Sequence, residues 1–75
     1  MEDYIFQTEF PHVNNEQTMK YFLDNHIEEV FGVGAHTVAE EGTYCEIVNR
    51  AGLWAVHAMG NGDSFNHKIT FEKLN

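Results

Sequence analysis

Six side chains in this sequence carry donor atoms suited to metal or nucleophilic chemistry: His12, His26, His36, Cys45, His57 and His67. A structural zinc site draws on ligand pairs two to five residues apart, gathered in two clusters. Here each candidate stands roughly ten residues from the next, so no local chelate exists. A site assembled across strands, such as Cys45 with His57, is the one metal alternative, and no metal ligand is assigned. His26 falls on the apolar side of a helical segment, where an imidazole is more often packed and hydrogen-bonded than liganded.

Nucleophilic catalysis needs a thiol or hydroxyl beside a base. Cys45 lies next to Ile47 in a strand-like run and reads as a small core hydrophobe. Asp63, Ser64 and His67 are neighbours in sequence, whereas working triads are assembled from distant segments on a rigid frame. Turn formation is the better role for that trio. The run Gly60 to Ser64, GNGDS, lacks both the following helix of a phosphate cradle and the ligand spacing of a calcium loop. The carboxylate pairs Glu28-Glu29 and Glu40-Glu41 are adjacent residues, and acid–base pairs need a cleft that a one-helix domain barely offers. No catalytic residue and no cofactor is therefore assigned, and the chain reads as a non-enzymatic binding protein.

The element that must position everything else is the run from Asn15 to Phe31. Met19, Phe22, Leu23, His26, Ile27, Val30 and Phe31 recur at the spacing of one helical face. Asn14 or Asn15 caps its start, with Gln17 placed as in a capping box, and Gly32 stops it. Its outer side holds Glu16, Lys20, Asp24 and Glu28. Glu28 and Glu29 sit near the helix C-terminus, where the dipole disfavours negative charge. That local cost suggests that the acidic end is used.

The remaining runs alternate as strands do. Tyr4 to Phe10 forms the first, with Tyr4, Phe6, Thr8 and Phe10 on one side and Pro11 ending it. Ala35 to Glu40 and Thr43 to Asn49 flank a tight turn at Glu41-Gly42. Leu53 to Met59 is apolar on both sides and is expected at the centre of the sheet. The run His67 to Leu74 supplies the last strand. The expected fold class is α+β, one helix packed on a four- to five-stranded antiparallel sheet in the order β-α-β-β-β-β. Residues 1–75 are expected to form a single compact domain, and a chain that starts at Met1 is expected to be a complete short reading frame.

Composition narrows the function. Hydrophobic residues make up 43% and aromatics 13%, enough for a packed core in a domain of 75 residues. A single cysteine excludes an internal disulfide. No leader pattern or bilayer-length apolar run is present, so the expected location is cytoplasmic. Four basic residues against 12 acidic ones leave a formal net charge of −8. Direct nucleic-acid binding and an anionic membrane surface are both disfavoured, and a basic protein is the complementary partner.

The candidate partner-binding residues are Asp24, Glu28, Glu29, Glu40 and Glu41, a negative patch wherever the helix end and the first hairpin turn project together. Tyr44 and Trp54, with Val48, are aromatic and apolar anchors if they lie on an outer sheet face, and the alternation equally allows the helix to cover them. The hairpin IVNRAGLWAVHAMGNG, Ile47 to Gly62, resembles in layout a turn-Gly-Leu-Trp strand of the small phage-encoded anti-CRISPR proteins, which are also short and acidic. The resemblance covers about a fifth of the chain and assigns no residue. It implies a protein of the host bacterial cytoplasm that binds a CRISPR effector complex and blocks DNA or RNA access without turnover. The runner-up class is a homodimeric module paired through an open sheet edge, and the third a small His-rich metal- or ligand-binding domain.

Overall fold

The computed structural model describes residues 2–59 and 64–75. Its elements run in the order β1 Glu2–Gln7, α1 Asn15–Asn25, α2 Ile27–Phe31, β2 His36–Glu41, β3 Tyr44–Asn49, β4 Gly52–Met59 and β5 Asn66–Lys73. All five strands join one antiparallel sheet in the spatial order β1-β5-β4-β3-β2. The expected α+β class and β4's central place both hold. Chain order alone does not place β1 beside β5. Because β1 and β2 are the two edges, the helical segment joining them has to cross the whole sheet, and it buries its apolar side in doing so.

The expected capping box is present. Asn14 Oδ1 accepts from the Gln17 amide at 2.9 Å, and Gln17 Oε1 accepts from the Asn14 amide at 2.9 Å. Met19, Phe22 and Phe31 are buried, and Leu23, Ile27 and Val30 pack partly buried around them. The continuous helix expected through residue 31 is instead broken at His26, whose backbone leaves helical geometry. The break turns the last helical residues toward the sheet, so that the Phe31 ring meets Trp54 at 5.8 Å and Phe71 at 5.2 Å. Thr18 is buried as well, a position the apolar pattern did not mark.

β1 ends at Gln7, before the expected Phe10. The Thr8 hydroxyl and the Phe10 backbone bond each other there, and Phe10 is exposed. The β2–β3 turn falls on Gly42 and Thr43, one residue later than expected, with Glu41 and Tyr44 as the closing pair. Gly42 takes a φ of 60°, a left-handed conformation that glycine adopts without cost. The loop expected at Gly60 to Ser64 lies, for residues 60–63, outside the described residues.

Cross-strand pairing settles the two sides of the sheet. On the helix-covered side, one row runs Phe71, Val56, Cys45, Glu40. On the open side, another row crosses all five strands as Asp3, Thr70, His57, Tyr44, Glu41. Trp54 pairs with Ile47 on the covered side, and Val48 lies with Tyr44 on the open one. The three are therefore split: Tyr44 and Val48 lie on the open side, whereas Trp54, paired with Ile47, lies on the covered side, partly buried with its ring against Phe31 and Phe71. No helix among the described residues is long and apolar enough to cross a membrane.

Candidate functional site

Helix α1 packs over β4 and β5 and leaves the covered side of the β2–β3 hairpin only partly roofed. The gap is a groove of about 430 Å³. One wall is the flank of α1 carrying Glu16, Met19, Lys20, Leu23 and Asp24, and the other is Glu40, Gly42 and Tyr44 from the hairpin. Helical spacing explains the first wall, since residues three and four apart stack on one flank. Strand alternation explains Glu40 in the second, since Glu40 opposes Cys45 on the helix side, whereas Glu41 and Tyr44 belong to the open side.

Met19 forms the floor of the groove. It is buried, and the Cys45 thiol donates to its Sδ at 3.7 Å. Glu16, Lys20, Asp24 and Glu40 are all exposed at the rim. A second depression, lined by Leu23, Asp24, Asn25, Ile27 and Glu28, continues the same flank toward α2. Carboxylates at residues 16, 24 and 28 therefore follow one edge of the helices, with Glu40 facing them across the groove. Lys20 stands four residues from both Glu16 and Asp24 and offsets part of that charge.

Glu29 is elsewhere. Its Oε2 accepts the Tyr4 hydroxyl, and its Oε1 lies 3.0 Å from His26 Nδ1. The Tyr4 oxygen is also 3.3 Å from that nitrogen. Burial, then the Glu29 carboxylate, push the Tyr4 phenol up to about 12. Glu29 is held below its ordinary value by the Tyr4 hydrogen bond and then by His26. A carboxylate orienting an imidazole is a general-base motif, but both oxygens of Glu29 are engaged in tying α2 to β1. This clasp also sits where the helix breaks.

The other sequence-assigned residues are placed as follows. Asp24 and Glu40 line the groove, and Glu28 lines its extension. Glu41 lies on the open side of β2. Tyr44 borders the groove while its ring packs on His57 with centroids 4.9 Å apart. Its hydroxyl donates to Glu46 at 2.6 Å, and that bond raises the phenol above its ordinary value. Trp54 is partly buried against the core, and its Nε1 donates to Asn49 Oδ1 at 2.9 Å. Sequence reasoning missed Glu16, Met19, Lys20 and Leu23 as groove residues. The four-residue ladder from Glu16 to Glu28 was the available signal, but nothing local says which strand comes to lie beside it.

The donor atoms do not converge. His36 Nδ1 sits 3.1 Å from the Gly34 carbonyl, His57 lies on the open sheet face, and His67 is fully buried. Thr18 donates to the Asn14 carbonyl at 3.0 Å, so its oxygen is left to accept from His67 Nδ1 at 3.4 Å. Burial, then Glu40 and Glu46, push the Cys45 thiol up to about 12, which keeps it a poor nucleophile. Among the described residues no group of three or more His, Cys, Asp and Glu side chains is arranged to hold a metal ion. Comparison with protein-family models, with curated proteins and with solved structures found no match.

Proposed function

We propose that this chain is a non-enzymatic, stoichiometric inhibitor that occupies the positively charged site of a nucleic-acid-binding protein, as anti-CRISPR proteins do. The observation that supports the reading is the acidic flank: Glu16, Asp24 and Glu28 along the helices, with Glu40 across an apolar-floored groove, on a chain of net charge −8. A basic site built for phosphates is complementary in charge to such a surface, as it is to nucleic acid. Opposite fields also accelerate the encounter. Glu29 lies away from the groove, tied into the Tyr4–His26 clasp with its side chain still exposed.

The test is capture from a bacterial lysate on the immobilised chain, with elution by duplex DNA. Basic nucleic-acid-binding proteins, a CRISPR effector complex foremost, are expected to be retained and to be displaced by DNA. The Glu16→Lys/Asp24→Lys/Glu40→Lys variant is expected to retain none of them. Retention that DNA does not compete, or that survives the triple charge reversal, rejects the reading. So does a surface that retains no basic protein.

A further inference from the structure

We infer that β2 accepts an extended basic segment of the partner as an added strand, with alternate side chains entering the groove beside α1. The inference rests on the reading that the partner is basic, and it specifies how that partner is held. β2 is an edge of the sheet, so every second backbone N–H and C=O along it points away from β3 with no strand to receive it. All of its residues but Thr37 are exposed, and Val38 is 53% exposed.

The other edge is less open to this use. β1 is clasped to α2 through Tyr4 and Glu29, buries Phe6, and directs Asp3 onto Lys68 at 3.1 Å. Beside β2 there is instead the unroofed groove. A strand laid along β2 sends its side chains alternately to the two sides of the sheet. Those on the covered side meet Glu40, Asp24 and Glu16 at the rim and Met19 and Leu23 at the floor. Those on the open side meet Glu41. A lysine or arginine suits the first environment in both parts, with its methylene stem on the apolar floor and its charge at the rim.

The same charges decide what is kept out. Parallel pairing of β2 with β2 of a second copy would set Glu40 and Glu41 against their counterparts, and like charges across strands are destabilising. The irregular register between Thr37 and Ala39 further spoils a flat, general-purpose edge. The regular stretch from Ala39 to Glu41, beside the groove, is where an added strand registers.

The probe is a synthetic peptide of about ten residues alternating Lys and Thr, long enough for one strand. Its control carries the same lysines with proline in place of threonine, which removes ladder donors but no charge. Binding to the full chain is measured by calorimetry, and amide hydrogen exchange locates it. The Lys-Thr peptide is expected to slow exchange at residues 36–41 and to bind at least about tenfold more tightly than the proline control. The Glu40→Lys/Glu41→Lys variant, both exposed positions, is expected to lose about tenfold or more in affinity while keeping its circular dichroism spectrum. Equal affinity of the two peptides, or protection at β1 in place of β2, overturns the added strand and leaves the acidic-surface reading intact. Binding of neither peptide also overturns it, and the acidic-surface reading is then decided by the DNA competition alone.

Discussion

Removing the Asn49 side chain tests how the hairpin, the helix end and the core are coupled. Its Oδ1 accepts from the amides of Ala51 and Gly52 at 2.9 and 3.2 Å and from Trp54 Nε1 at 2.9 Å. Its Nδ2 donates to the Phe31 carbonyl at the end of α2, at 3.2 Å. In Asn49→Ala the exposed Ala51 amide turns to water at little cost. The Gly52 amide, the Trp54 indole and the Phe31 carbonyl are partly or fully shielded and lose their partner, at about 1 kcal/mol each. The expected destabilisation is about 3 kcal/mol. With an unfolding entropy of about 2.1 cal/mol/K per residue, the 75-residue chain has about 160 cal/mol/K in all, and Tm is expected to fall by about 15–20 °C. Asn49→Asp keeps the three acceptor bonds but sets a carboxylate oxygen against the Phe31 carbonyl in place of the amide donor, so it is expected to be less stable than wild type. Urea unfolding followed by circular dichroism measures the stability. The fluorescence of Trp54, the only tryptophan, reports the local change. An Asn49→Ala chain within about 0.5 kcal/mol of wild type, or an Asn49→Asp chain as stable as wild type, refutes the coupling.

Two further perturbations follow from the geometry. Gly52 has a φ of 140°, and a Cβ there would run into the Asn75 carbonyl, which accepts from the Leu53 amide at 3.3 Å. Gly52→Ala is expected to cost about 1–3 kcal/mol through backbone strain and to speed exchange of the Leu53 and Leu74 amides; unchanged exchange there counts against it. The Tyr4–Glu29–His26 clasp makes stability depend on pH at both ends. Tyr4 has its folded value raised from 10.0 to about 12, so its contribution is complete below pH 10 and is lost as pH rises toward 12. Glu29 is lowered from 4.5, so its contribution is present above that value and is lost as pH falls below it. Denaturant midpoints across pH for wild type and Tyr4→Phe measure this, and a variant with an unchanged alkaline limb contradicts the clasp.

Periodicity and end signals were enough to read the fold class, the helix with its Asn14–Gln17 cap, the strands and the central place of β4. These are local or composition-level facts, since a cap is decided within four residues and a strand apolar on both sides needs neighbours on both. The acidity was also open to reading, because charge counts do not depend on the fold. Other features needed residues far apart in sequence to meet. A period of two says that Glu40 and Glu41 face opposite ways, but not which of them faces the helix. Trp54 could have lain on either face until its register with Ile47 placed it on the covered side, partly buried against the core. Glu29 looked like part of the acidic face until Tyr4, 25 residues away, captured it. The pairing of β1 with β5 left β2 as a bare edge, and with it the groove. Sequence determined which residues are acidic, apolar or turn-forming, because those properties belong to single residues and their near neighbours. Tertiary structure alone decided which carboxylates line the groove, because that depends on where the chain returns to itself.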